Sequence, residues 1–231
     1  MRLENLSWPE VKRLKPASRI LMLPLGSFEQ HGRHLPLTTD TDIVTAVAGG
    51  VEQKRPKKIL CLPTLWPGHS PHHLFFPGTL SVSQMPYIQL VNELCRSMVK
   101  MGATKIFLLN GHGGNDVPLR AAVRELKTEF PRLRVVFASY WSVANLGIRH
   151  ACEIETSLML HLHPDRVRMK LARRDGPPPG TSAAYVVKEF HEISKTGTVG
   201  DPTCATATKG KQLLGKIIAD VTAFVDDFSK W

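Results

Sequence analysis

Residues 20–42 of the chain read ILMLPLGSFEQHGRHLPLTTDTD, and a fold can be predicted by working outward from them. The first six residues, 20–25, are uniformly apolar and have the length of a buried strand. Five side chains that can bind metal follow them: Glu29, His31, His34, Asp40 and Asp42. Imidazole and carboxylate together suit zinc, manganese or iron, because the nitrogen ligand is too soft for calcium or magnesium. The segment therefore predicts a strand that leads directly into a transition-metal site.

Further apolar runs alternate with helical patterns along the chain. The strand-like runs are 59–63, 105–109 and 134–138. Apolar side chains recur every three or four residues within 43–51, 88–98, 154–162 and 213–228. Strands that are apolar throughout are expected where both faces of a sheet are covered. We therefore predict an α/β fold, a single-domain three-layer αβα sandwich with a mainly parallel sheet, spanning residues 1–231.

Two segments, 65–79 and 173–208, lack a helical or strand pattern. Each contains several prolines and glycines, including the run PPPG at 177–180. Long loops inside compact α/β domains tend to carry function or to build oligomer contacts. We expect one of these two roles for both segments.

Composition restricts the class of function. The 231 residues carry a formal net charge of +10, with basic runs at 54–58 and 166–174. Neither run has interleaved aromatic residues or a recognisable nucleic-acid motif, so we expect no nucleic-acid partner. No apolar stretch has the length of a signal peptide or a membrane span, so we expect a cytoplasmic protein with no membrane partner. The positive charge favours an anionic substrate.

The carboxyl ends of the predicted strands collect the chemically unusual residues. Ligands of parallel α/β sheets bind outside these ends, where loops from several strands meet. Glu29, His31 and Asp40 follow the first strand, and NGHGGN at 110–115 follows the strand that ends near 109. Glu29 and His31 are two apart, so in an extended segment they project to the same side and could each reach one ion of a pair. Asp40 has two oxygens with which to bridge that pair.

The glycines around His112 permit two interpretations. They let the backbone approach a ligand closely and leave the imidazole free to face the cleft. A glycine-rich loop that opens a helix is also typical of a phosphate cradle. No Gly-Lys-Ser/Thr sequence follows, which argues against a P-loop.

These motifs resemble the creatininase family of creatinine amidohydrolases. The resemblance rests on GSxEQHGxHLPLxTDT at 26–41 and on NGHGGN at 110–115, and it extends to further blocks in the family's order. Those blocks are FPGTL at 76–80, SYW at 139–141, HACEIETSLML at 150–160 and GDPTCATA at 200–207. The resemblance implies a creatininase-like αβα domain that assembles as a homohexamer. It also implies a binuclear site with two divalent ions, zinc or manganese, with iron as a third option.

The resemblance also assigns ligands, with one departure. It implies that Glu29 and His112 hold one ion, that His31 holds the other, and that Asp40 bridges them. In creatininase proper a glutamate two residues after the loop histidine completes the second ion, but this chain has Gly114 there. We predict that Glu153, three residues after His150, replaces it as a ligand and belongs to the catalytic machinery.

The remaining candidates have catalytic or supporting roles. His150 is predicted to donate a proton to the departing nitrogen. Substrate-binding or supporting roles are predicted for His34, His73, Gly113, Trp141 and Glu155. Cys152 is an alternative nucleophile, but no Cys-His-Asn arrangement is evident. The four cysteines are widely spaced without a C-x-x-C pair, which argues against disulfides and a thiolate zinc site.

The predicted function is that of a metal-dependent hydrolase acting on non-peptide carbon–nitrogen bonds. Metal-activated water would hydrolyse a cyclic amide or a formamide in a small molecule, and the positive charge of the chain favours an anionic one. The resemblance leaves two alternatives open, a deformylase of a pyrimidine nucleotide intermediate and a peptide-trimming enzyme of cofactor maturation. A hypothesis from a different class is a non-catalytic metal-binding protein of the same fold.

Overall fold

A computed structural model describes residues 1–176 and 188–231 of the chain. The described residues form a four-stranded sheet of β1 (Ile20–Leu25), β2 (Ile59–Cys61), β3 (Lys105–Asn110) and β4 (Arg134–Ser139). The order across the sheet is β2-β1-β3-β4, and every neighbouring pair is parallel. Ile20 of β1 lies opposite Ile59 on one side and Lys105 on the other. The PPPG run at 177–180, within the predicted loop 173–208, lies outside the described residues.

Helices connect the strands and cover both faces of the sheet. They are α1 (Trp8–Arg13), α2 (Thr39–Lys54), α3 (Gln84–Lys100), α4 (Asp116–Glu129), α5 (Tyr140–Val143), α6 (Glu153–Leu162), α7 (Phe190–Ile193) and α8 (Ala207–Phe228). Helices α2, α6 and α8 pack in one layer, and α3 and α4 pack in the other. None of the described helices combines the length and hydropathy needed to cross a bilayer.

The central strand β1 explains the two layers, because successive side chains of a strand point to opposite faces. Ile20 and Met22 pack against α2, α6 and α8, whereas Leu21 and Leu23 pack against α3 and α4. All six residues of the strand are buried. The predicted α/β fold with a parallel sheet between helical layers is therefore confirmed.

The long helices present the apolar stripes that their sequences predict. In α8 the side chains of Ile217, Val221, Val225 and Phe228 recur every three or four residues and are buried. The helix α2 begins at Thr39, before the apolar repeat of residues 43–51. Asp40 consequently lies in the first turn of the helix.

The sheet places its loops over the carboxyl ends of the strands. The backbone N–H of Gly111, just after β3, donates to the carbonyl of Leu25 at the end of β1, at 2.8 Å. The N–H of Leu65, after β2, donates to the carbonyl of Pro24 at 3.0 Å. These bonds hold the chain that leaves β2 and β3 against the chain that leaves β1, so the metal-capable residues of separate loops meet.

Candidate metal and catalytic site

Glu29 lies at the centre of the site and has no solvent exposure. Within the described part of the chain, neither of its buried carboxylate oxygens has a hydrogen-bond partner. Three imidazoles surround them: His73 Nε2 is 3.5 Å from Oε1, His112 Nε2 is 3.3 Å from Oε2, and His150 Nδ1 is 3.7 Å from Oε1. A buried carboxylate without hydrogen bonds is costly unless it is paired with a cation. Glu29 belongs to two groups of side chains that could hold a metal ion, one with His73 and His150 and one with His31 and Asp40.

Asp40 faces two imidazoles with its two oxygens. His31 Nε2 lies 3.0 Å from Oδ1, and His112 Nδ1 lies 2.9 Å from Oδ2. The hydroxyl of Ser27 donates to Oδ2 at 2.8 Å and helps to hold the carboxylate. The position in the first turn of α2 also favours a negative charge, because backbone N–H groups point toward it. Asp40 thus lies between two of the predicted ligands, His31 and His112.

The carboxylates and imidazoles of this cluster shift one another's pKa values. Burial opposes protonation of His31, but the adjacent Asp40 outweighs it and raises the pKa of His31 to about 10. The pKa of His112 is likewise raised well above its usual value, because Glu29 and Asp40 outweigh burial. Burial would raise the pKa of Glu29, yet His112 and His73 hold it well below its usual value. Two carboxylates thus stay charged against two imidazoles, so the donor set fits divalent cations, which would replace the protons.

His150 and His73 form a second, neutral pair beside Glu29. Burial, together with His31, holds the pKa of His150 well below its usual value. Burial lowers the pKa of His73 to about 3. The two rings stack with centroids 4.5 Å apart, and the ring of His150 also packs against that of His31 in a tilted arrangement, with centroids 4.2 Å apart. A neutral imidazole at neutral pH can accept a proton and pass it on.

The position of Glu153 corrects the predicted ligand set. Its side chain is 41% exposed and pairs with Lys209 Nζ at 2.5 Å on the outer side of α6. Glu155, two residues later, is only 6% exposed and lines the cavity with Glu29 and Asp40. Successive residues of a helix are about 100° apart, so positions 153 and 155 face nearly opposite directions. The structure places Glu155 rather than Glu153 beside the other candidate ligands.

Burial changes the charge of Glu155 in the metal-free site. Its pKa is raised to about 8, and the nearby charge of Asp40 adds to the effect of burial. The backbone N–H of Ala151 donates to Oε2 at 2.5 Å and orients the carboxyl group. The sequence contained a signal that Glu155 faces inward. The apolar residues Leu158, Met159 and Leu162 follow it at spacings of three, four and seven, which place them on the same side of a helix. Glu155 therefore shares the face of α6 that the apolar stripe turns inward.

Gly114 is required by the packing of the loop after β3. A Cβ atom at this position would lie 2.2 Å from the carbonyl oxygen of His69 and 2.4 Å from His112 Nε2. Both distances are far below van der Waals contact. A glutamate cannot stand here unless the loop moves, so the departure from the ligand set of creatininase proper is part of the local structure.

The cavity over this cluster has a volume of about 280 Å³. Eight of the predicted site residues line it: Glu29, Asp40, His73, His112, Gly113, Trp141, His150 and Glu155. The cavity is also lined by four residues that no motif indicated: His72, Ile148, Arg149 and Phe190. Apolar and loop residues of this kind carry no motif, so no sequence signal indicated them.

His31 and His34 are buried but do not line the cavity. His31 is connected to the cavity through its contact with Asp40, which lines it. His34 Nε2 lies 2.8 Å from the hydroxyl of Thr156 in α6, and burial lowers the pKa of His34 to about 4. Of the two roles predicted for His34, the structure supports bracing of the loop rather than contact with substrate.

Cys152 does not have the environment of a nucleophile. The side chain is buried, and burial together with the nearby Glu155 raises the pKa of its thiol to about 11. Nucleophilic cysteines require a thiolate, which this site disfavours. The alternative of covalent cysteine catalysis therefore receives no support.

Comparison with known proteins relates this geometry to one family. The sequence profile of the creatininase family, described as creatinine amidohydrolase, matches residues 4–225. The mycofactocin precursor peptide peptidase of Mycobacterium ulcerans is 34% identical over 223 residues, which cover 91% of this chain and 85% of that protein. The creatinine amidohydrolase of Pseudomonas putida is 30% identical over 243 residues, with 94% and 91% coverage.

The structural comparison agrees with the sequence comparison. A crystal structure of creatinine amidohydrolase superposes with a TM-score of 0.87 and 25% identity, covering 98% of this chain and 96% of that one. Related creatininase structures include one described with manganese and one described as a Zn-Zn form. The predicted resemblance to creatininases is thereby confirmed.

Proposed function

Because the chain belongs to the creatininase family of hydrolases that act on carbon–nitrogen bonds, we propose that it hydrolyses an amide bond at a two-metal site. The observation that carries the proposal is the environment of the Glu29 carboxylate. Its two carboxylate oxygens are buried, have no hydrogen-bond partner among the described residues, and face three imidazoles. Side-chain nitrogen and oxygen donors in this mixture suit zinc or manganese.

The proposed ligands divide between two ions. Glu29 and His112 would hold the first, His31 and Glu155 would hold the second, and Asp40 would be shared. Contacts of Asp40 with both His31 and His112 support its shared position. Glu155 takes the role first predicted for Glu153, because it is the buried carboxylate of α6 that lines the cavity.

The protein residues around the proposed ions then have distinct tasks. Two bound divalent ions would lower the pKa of a water molecule and polarise the scissile carbonyl. His150 is neutral, lies at the cavity wall, and is placed to pass a proton to the departing nitrogen. Phe190 packs against His150 with ring centroids 4.6 Å apart and helps to keep water from that face.

The size of the cavity supports a small amide-bearing group as the substrate. About 280 Å³ accommodates a cyclic amide, a formamide, or one end of a longer molecule. A second candidate, removal of residues from a precursor peptide, is favoured by the higher identity to a peptide peptidase, 34%, than to creatinine amidohydrolase, 30%. The basic composition supports an anionic group on either substrate.

Two measurements test the proposal. Metal analysis of the protein loaded with zinc or manganese should give two ions per chain. Product release should then be measured with creatinine, with a formamide-bearing pyrimidine nucleotide, and with peptides that carry a free carboxyl terminus. Turnover of one class identifies the substrate. Two bound ions without any turnover would favour the hypothesis of a non-catalytic metal-binding protein. Absence of bound metal would contradict the proposed metal site.

A further inference from the structure

Gln30 lies between the two proposed ligands Glu29 and His31, and its side chain has a defined orientation. The residue is 5% exposed. Its Oε1 accepts a hydrogen bond from the backbone N–H of Gly32 at 2.9 Å. Because a backbone N–H can only donate, the atom facing it must be the amide oxygen. The amide nitrogen Nε2 is therefore on the other side, toward the imidazoles.

The backbone around Gly197 packs closely against the amide of Gln30. A Cβ atom on Gly197 would lie 2.0 Å from Gln30 Oε1, so the backbone of this loop closes directly on the amide oxygen. Gly197 has a φ of 77°, a left-handed conformation that glycine adopts without strain. The backbone N–H of Gln30 also donates to the hydroxyl of Thr79 at 3.2 Å. Gly32 and Gly197 thus fix the side-chain amide of Gln30, whereas Thr79 contacts only its backbone.

The orientation of Gln30 determines which nitrogen of His73 carries a proton. Gln30 Nε2 lies 2.8 Å from His73 Nδ1. An amide nitrogen only donates, so Nδ1 must accept and cannot hold a proton. The single proton of the neutral ring is then on Nε2, which lies 3.5 Å from Glu29 Oε1.

We propose that Gln30 is a positioning residue that holds His73 in its Nε2–H tautomer and so directs an N–H group at Oε1 of Glu29. The other oxygen of that carboxylate, Oε2, faces His112 at 3.3 Å. The N–H group of His73 therefore points toward Oε1 of Glu29, whereas Oε2 faces the proposed ligand His112. Packing of His73 against Phe190, with ring centroids 4.2 Å apart, keeps the imidazole in this orientation.

Gln30 has a second imidazole neighbour, which the test must separate. His150 Nε2 lies 2.8 Å from the carbonyl oxygen of Gln30 and 3.0 Å from its Nε2. The contact with the carbonyl oxygen requires a proton on His150 Nε2, and the contact with the amide nitrogen requires none, so together they do not fix the tautomer of His150. The contact between Gln30 and His73 is compatible with only one tautomer of His73. The proposal therefore concerns His73.

Nitrogen NMR of the imidazoles tests the tautomer without any assay of activity. In ¹⁵N-histidine-labelled full-length protein, both metal-free and zinc-loaded, His73 should show an unprotonated Nδ1 and a protonated Nε2. The variant His73→Phe assigns these signals by removing them and keeps a ring against Phe190. The reverse pattern, with the proton on Nδ1, would overturn the proposal whatever the enzyme's activity.

The variant Gln30→Glu tests the consequence. Glutamate keeps the shape and the bond from Gly32 but can only accept from His73, so the ring must place a proton on Nδ1. Supporting residues of metal sites typically change activity by about 10- to 100-fold, and we expect kcat to fall in that range with KM little changed. The matched control Thr79→Val removes the bond to the backbone N–H of Gln30 but leaves its amide in place. This control should retain the wild-type kcat.

A double-mutant cycle tests whether Gln30 affects kcat through His73 or through His150. In the His73→Phe background, Gln30→Glu should have little further effect on kcat, because the group on which Gln30 acts is gone. An equally large loss in both backgrounds would show that Gln30 acts through His150 and would overturn the proposal. The rate measurements rest on the proposed amide hydrolysis, whereas the NMR test does not. Absence of turnover would therefore contradict the proposed function, and the wrong tautomer in the NMR test would contradict the role of Gln30. If Gln30→Glu does not fold, the tautomer in the wild-type protein decides.

Discussion

Asp40 and His112 are 72 residues apart in sequence, yet Oδ2 of the carboxylate lies 2.9 Å from Nδ1 of the imidazole. Asp40 comes from the first turn of α2, and His112 comes from the loop after β3. The parallel pairing of β1 with β3 brings these two loops to the same end of the sheet. We expect a bound cation to replace the proton between these two groups, and this exchange is measurable.

Metal binding should release protons. In the metal-free protein the pKa of His31 is about 10 and that of His112 is well above its usual value, so both rings are protonated at neutral pH. A cation must displace these protons, and its affinity should therefore rise as pH rises toward 10. Zinc titration calorimetry in buffers of different ionisation enthalpy should show a binding heat that depends on the buffer. A binding heat independent of the buffer would contradict the proposed ligands.

Glu155→Gln should remove one ion, whereas Glu153→Gln should not. The two residues belong to the first turn of α6, but only Glu155 lines the cavity, and Glu153 pairs with Lys209 at the surface. We expect Glu155→Gln to lower metal content from two ions toward one. Its activity should fall by more than about 100-fold, the upper range for residues that merely support ligands. Glu153→Gln is the matched control, and loss of an ion in that variant alone would restore the ligand first predicted.

Gly114→Ala should destabilise the protein, because the added methyl group meets the His69 carbonyl at 2.2 Å. Overpacking of this kind typically costs about 1–3 kcal/mol of unfolding free energy. Gly113→Ala is the natural control, since a Cβ there meets nothing within 4 Å. Urea unfolding of the metal-free variants gives both values. Equal stability of the two variants would show that the loop relaxes around the methyl group.

Asp175 should stabilise the segment that closes on Gln30. Its carboxylate accepts from Ser194, from both the N–H and the hydroxyl of Thr196, and from the N–H of Gly176. Burial would raise the pKa of Asp175, but these bonds outweigh it and lower the pKa to about 2. Since the folded pKa lies below the reference value of 3.8, this stabilisation is present above about pH 4 and is lost as pH falls toward 2.

The variant Asp175→Asn checks this stabilisation. It keeps the size of the side chain and removes the charge, so it should lower the unfolding free energy at pH 7 by about 1–2 kcal/mol. The difference from the wild type should shrink between pH 4 and pH 2. Unfolding by urea at a series of pH values measures both effects. A difference that does not depend on pH would show that the charge of Asp175 is not involved.

The fold was accessible from the sequence because hydrophobic periodicity reports burial. Uniformly apolar runs predicted the strands, and the stripe from Leu213 to Phe228 predicted the core face of α8. Boundaries were less accurate where local chemistry competes with periodicity. The strand β2 ends at Cys61 rather than at the predicted residue 63, which is a proline without an N–H for the ladder.

The family was also contained in the sequence, because its motifs could be identified without coordinates. The sequence predicted Glu29, His31, Asp40 and His112 as ligands, and the structure brings these four residues together. Only the tertiary structure could distinguish Glu155 from Glu153, because that choice depends on the rotation of α6 against the sheet. The same holds for the unpartnered oxygens of Glu29 and for the bond between Gln30 and His73. Residue types and spacing specify which groups are available, but contacts between distant segments are specified only when the packed core fixes their distance and direction.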